Sequence, residues 1–138
     1  MSILTEFEST ILYIVVSALL SGLLGVLISN WDHKRNEIKR MKLRVLQQLM
    51  GNRSDVNGKA FLEALNQVAV VFHDSEEVIT ALKSVHEDVM SPNRSPNLSR
   101  QKLLALFKAM FKNLNIKTEP LTDNFFLTAF MPRESQSS

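Results

Sequence analysis

An all-α fold, with one N-terminal transmembrane helix continuing into a small cytosolic helical domain, is predicted by three observations. Twenty consecutive residues, Thr10 to Ser29, carry no charge, about the length a helix needs to cross a hydrocarbon core of roughly 30 Å. Beyond them, apolar residues recur at three- and four-residue spacing through most of the chain, which is the period of a helix. Outside the span, Gly and Pro gather where those periods break.

The elements follow in order. Residues 1–9 read as a short extracytosolic N-terminus with Glu6 and Glu8 and no Lys or Arg. Residues 10–30 form the span, with Tyr13 and Trp31 where aromatic rings sit at membrane interfaces. Lys34, Arg35, Lys39, Arg40, Lys42 and Arg44 come directly after it. The positive-inside rule then places the C-terminal part in the cytosol, with a single pass through the membrane. A cleaved signal peptide is the competing reading, but it calls for a basic start and a shorter apolar region.

Residues 31–50 read as a basic juxtamembrane stalk. Ile38, Met41, Val45 and Leu49 fall at helical spacing, and no Pro or Gly separates them from the span. The stalk cations have an ordinary role, fixing topology and attracting anionic lipid at about 1 kcal/mol each.

The cytosolic helical domain is expected over 51–131. "GNRSDVNG" is a turn. In "KAFLEALNQVAVVF", Phe61, Leu65, Val68 and Phe72 share one face, with the β-branching of "VAVVF" leaving a strand as the lesser alternative. Asp74, three residues before Glu77, resembles a capping box for a helix whose seam is Val78, Leu82, Val85 and Val89. "SPNRSPNLS" is a loop, and Ser99 is the expected cap of a helix that turns Leu103, Phe107, Met110 and Leu114 inward. "LTDNFFLTAFM" suits a short last helix. Residues 132–138, Pro132 with "RESQSS", read as a disordered tail.

Composition narrows the function. The chain has no cysteine, so it has neither a disulfide framework nor a thiolate metal site. All 16 Lys and Arg lie after Trp31 with 12 of the 14 acids, a net charge of +4 on that part. The ~107 residues after the span suffice for one small core. There is no internal repeat, no Gly-rich phosphate loop and no G-x-S-x-G elbow. His33, His73 and His86 have no metal-ligand spacing, and the dipeptides His73-Asp74 and His86-Glu87 fall where polar residues are expected at a loop and a helix end. No catalytic residue, metal or cofactor is therefore expected.

Charge patterning says more. No acid occurs between Asp88 and Glu119, while Arg94, Arg100, Lys102, Lys108, Lys112 and Lys117 accumulate. Such a run is commonly a solvated helix face. An anion site is the sharper reading, carried by "MGNRSDVNGK". There Asn52, Arg53, Ser54, Asn57 and Lys59 lie in a turn leading to a helix start, where backbone N–H groups suit phosphate and Arg adds a bidentate fork. Duplex nucleic acid is not an expected partner, because +4 neutralises few phosphates.

The small residues of "SALLSGLLGVLIS" need their own account. Ser17, Ser21, Gly25 and Ser29 recur every four positions, with Gly22 alongside. In lipid the hydrophobic effect does not draw helices together, so small residues that let backbones approach are the means of association. The stripe predicts a homo-oligomer.

The stretches "LRVLQQLMGNR" and "FLEALNQVAVVF" resemble an uncharacterised bacterial family with a single N-terminal membrane helix, a basic helix ending in LM-x-x-R and then ALN-x-V-x-V-x-F. The likeness covers most of residues 35–90 and implies architecture, not an activity. In layout the chain is also similar to small membrane effectors of prokaryotic antiviral signalling, among them a CRISPR-associated protein that binds cyclic tetra-adenylate. That similarity implies a cyclic oligonucleotide as ligand and an action on the membrane. Two other classes compete: an adaptor recruiting a protein through Phe125, Phe126 and Phe130, and a hydrolase in which His73, His86 and an acid converge.

Overall fold

The computed structural model describes residues 2–130, and among these every regular element is a helix. Helix α1 (Ser2–Gly51) runs without a break through the apolar and basic segments, because neither holds a proline and its glycines have other good helix formers around them. It is long and apolar enough to cross a membrane. Residues 2–41 are all exposed; Leu19, Leu20, Leu23 and Leu24 keep more than half of their surface free. Among the described residues, the rest of the chain does not cover this apolar surface.

Residues up to Ile38 form one unit and residues from Lys39 onward a second. The second holds the end of α1 with α2 (Lys59–Val71), α3 (Glu76–Met90), α4 (Pro96–Asn113) and the short α5 (Asp123–Leu127). Its centre is built from Leu49, Val68, Phe72, Val78, Leu106, Phe107, Met110 and Phe126, all fully buried. Phe126 meets Phe111 edge to face at 5.1 Å, which ties α5 onto α4. α4 ends in a Schellman motif. Asn115, at φ 56°, turns the chain so that Ile116 N–H reaches Phe111 O and Asn115 N–H reaches Lys112 O.

Several expected details change. α3 is capped by Ser75, whose Oγ accepts from Val78 N–H, and not by Asp74, because the Asp74 carboxylate is engaged by Lys42 instead. α4 starts at Pro96 after Ser95, so Ser99 lies inside the helix and its hydroxyl serves Asp88. "VAVVF" is helical, since the buried face of α2 at Phe61, Ala64, Val68 and Val71 keeps the helical period. In α1 the buried residues are Lys42, Val45, Leu46 and Leu49, while Ile38 and Met41 are exposed, because the helix is covered only from residue 42 onward. Leu65, Leu82, Val89 and Leu103, expected in the core, stay partly open because they line clefts.

Candidate functional site

At one end of the helical unit the first turns of α2 and α4 lie with the last turns of α3 and the loops that precede α2 and α4. They enclose a cleft of about 290 Å³. Three arginines line it: Arg53 from the loop after α1, Arg94 from the loop between α3 and α4, and Arg100 from the first turns of α4. Leu62, Leu65, Val89 and Leu103 form much of its wall, and Asn57, Asp88 and Ser99 complete the polar part.

The arginines are held differently. Arg53 donates from Nη1 to Met50 O and from Nη2 to Thr128 O, the latter at 3.0 Å, while its buried Nε has no hydrogen-bond partner. Arg94 approaches the Asp88 carboxylate, Nε to Oδ2 at 3.8 Å. Asp88 is itself buried and accepts from Ser99 Oγ at 2.5 Å. Arg100 is exposed and makes no ion pair among the described residues.

The start of α4 adds to this charge. Neither Gly58 before α2 nor Ser95 before α4 makes a side-chain cap bond; the Asp55 carboxylate lies against Gly58 and offsets the partial positive charge of the α2 start, while Ser95 makes no such bond at the α4 start. Three guanidinium groups, one buried carboxylate and the uncapped start of α4 make the cleft net cationic. Its walls are mainly aliphatic. Such a site suits an anion, with charge-assisted hydrogen bonds at its head.

The sequence-predicted ligand residues divide. Arg53 and Asn57 line the cleft. Asn52 is not part of the lining; its side chain donates to Gln48 O at 2.7 Å, closing the end of α1. Ser54 is exposed outside the lining, and Lys59 points to water and pairs with Glu63 one turn on, at 3.7 Å. Arg94 and Arg100 were visible only as members of the acid-free run. Asp88 and Ser99 gave no signal, since their meeting depends on α3 and α4 packing antiparallel.

The other features are placed as follows. Ser17 Oγ donates to Ile14 O and Ser21 Oγ to Ser17 O, while a Cβ at Gly22 or Gly25 would meet nothing within 4 Å. Ser29 is exposed on the same helix. His73 Nδ1 lies 2.9 Å from Val70 O, and His86 borders a second groove between α2 and α3 that shares Leu62, Leu65 and Val89 with the cleft. Among the described residues no three His, Asp or Glu side chains gather as a metal site would require. Phe126 is buried, whereas Phe125 is 40% and Phe130 is 90% exposed, their rings 6.2 Å apart.

A family model described as a family of unknown function, DUF6680, matches residues 4–124. No curated protein and no solved structure matches the chain.

Proposed function

The chain belongs to DUF6680, a family of unknown function, and we propose that it is an oligomeric, membrane-anchored effector whose cytosolic unit binds an anionic ligand. The observation that carries this reading is the convergence of Arg53, Arg94 and Arg100 on one cleft. In this reading α1 spans the bacterial inner membrane with its N-terminus outside, as the asymmetry of Lys and Arg suggests. The stripe of Ser17, Ser21, Gly25 and Ser29 brings copies together. Ligand acts by binding one arrangement of the assembly better than another, and only that difference in affinity moves the equilibrium. Antiviral defence is the setting suggested by the layout, with a cyclic oligonucleotide as the ligand class. One cleft of about 290 Å³ would hold only part of such a molecule, so neighbouring subunits would share it.

Calorimetry on the full chain in lipid nanodiscs, with inorganic phosphate, a mononucleotide and cyclic di-, tri- and tetra-nucleotides, tests the reading. Saturable binding weakened by Arg100→Gln is expected. Binding to none of these anions and to no other phosphate or carboxylate would end it.

A second reading has one observation in its favour: Phe125 and Phe130 form an exposed aromatic pair. An adaptor would use that pair to recruit a soluble protein to the membrane.

A further inference from the structure

We infer that the arginine cleft takes an amphipathic anion, a single phosphate or carboxylate head on an aliphatic body. The inference rests on the proposed function and narrows its ligand, departing from the oligonucleotide that the layout suggests. Two features of the cleft carry it.

The first is the origin of its wall. Leu65, Val89 and Leu103 occupy the core-facing phase of their helices; Leu65 and Leu103 are half-buried against the core, Val89 is 42% exposed, and all three line the cleft. Leu62 beside them is 39% exposed. The apolar surface that these side chains leave open gains from an apolar occupant, in proportion to the area removed from water. A hydrated inorganic anion would leave that surface wet.

The second is the supply of polar groups. A nucleobase is held by an aromatic or guanidinium face for stacking and by donors and acceptors for its edge. The one aromatic ring in the lining, Phe61, is 3% exposed and offers no face. Asp88 and Ser99 already satisfy each other, and Arg53 is fastened to two carbonyls. Asn57 and the Arg100 guanidinium are all that is left to hold a base. A single anionic head needs less, and Arg100 is free to meet it. Arg94 turns to it from Asp88 by a small movement, since their present contact is a long one at 3.8 Å.

The test uses the full chain in zwitterionic nanodiscs, with partition into empty discs subtracted. The probes are monohexyl phosphate, inorganic phosphate, hexanol, adenosine 5′-monophosphate and cyclic tetra-adenylate. Monohexyl phosphate is expected to bind at least about tenfold more tightly than inorganic phosphate or hexanol, because head and body contribute together. Arg100→Gln should weaken it about tenfold. Leu62→Asn should weaken it severalfold while leaving inorganic phosphate unchanged. Both positions are exposed, and unchanged thermal unfolding confirms that the fold is retained. Tighter binding of adenosine monophosphate or cyclic tetra-adenylate than of monohexyl phosphate overturns the amphipathic class and leaves the anion reading standing. Monohexyl phosphate binding that ignores both substitutions also overturns it, by placing the ligand elsewhere. Saturation by none of the anions removes this inference and the anion reading together.

Discussion

Lys42 Nζ lies 2.9 and 3.1 Å from the two carboxylate oxygens of Asp74, 32 residues further along the chain. It also donates to Asn113 Oδ1 at 3.0 Å and sits 5.3 Å from the centre of the Phe72 ring. One ammonium at the base of the unit thus joins α1, the turn before α3 and the end of α4. The side chain of Lys42 is 8% exposed and that of Asp74 56%, so the two halves of the pair are unequal. Removing the carboxylate strands a buried cation; removing the lysine leaves an acid in water. Asp74→Ala is therefore expected to cost about 2 kcal/mol and Lys42→Met less, about 1 kcal/mol. Urea unfolding followed by circular dichroism checks the order, and a larger loss from Lys42→Met would refute it.

The same pair sets a pH dependence. Hydrogen bonding from Lys42 holds the Asp74 carboxyl below its ordinary 3.8, partial burial opposing it. A depressed folded-state value means that the contribution is whole above 3.8 and is lost as pH falls from there through the lowered value. Acid unfolding of Asp74→Asn should show less loss of stability below pH 3.8 than the unaltered chain. Parallel acid curves would show that the pair contributes nothing there.

Arg53 serves the fold before it serves any ligand. Its guanidinium links Met50 O, at the end of α1, to Thr128 O, just after α5. Arg53→Ala should lower stability by about 2 kcal/mol, the worth of charge-assisted bonds to carbonyls. Arg100→Ala, at an exposed and unpaired position, should stay within about 0.5 kcal/mol. Thermal unfolding of the two variants separates them, and equal midpoints would disprove the structural role of Arg53.

Asn115 holds the left-handed turn that ends α4, at φ 56°. Glycine takes that conformation without a Cβ penalty, so Asn115→Gly should be neutral or stabilise by up to about 1 kcal/mol. Asn115→Val, β-branched and strained there, should cost about 1–2 kcal/mol. The two substitutions moving stability the same way would argue against the turn.

In the proposed assembly Gly25 is a contact point, since a side chain there meets nothing within its own chain. Gly25→Leu should leave the unfolding of the helical unit unchanged and reduce crosslinked oligomer in membranes severalfold. Unaltered crosslinking would sink the stripe as an interface.

The helical class, the apolar N-terminal helix and the order of the later helices were legible because each rests on local periodicity. The caps were harder. Asp74 and Ser75 are equally good cap residues by type, and only the position of Lys42, brought in by packing, decides between them. Leu65, Val89 and Leu103 illustrate a deeper limit: periodicity tells which face of a helix points inward, not whether anything fills the space it faces. The cleft arises from that difference. Its arginines come from three loops and helix starts that are adjacent only after α3 has folded back between α2 and α4, so no spacing along the chain could pair them.

The packing of the unit also orders its assembly in time. α3 rests on α2, α4 on α3 and α5 on α4, each on the helix made just before it, which favours rapid and progressive folding as the polypeptide emerges from the ribosome. The bonds that reach back from Asn113 and Thr128 to Lys42 and Arg53 span 71 and 75 residues. They cannot close until Asn113 and Thr128 have been synthesised, long after the apolar stretch of α1. The arginine cleft, with Arg53 and Leu127 in its lining, is in consequence complete only after α5 has been made and has docked on α4.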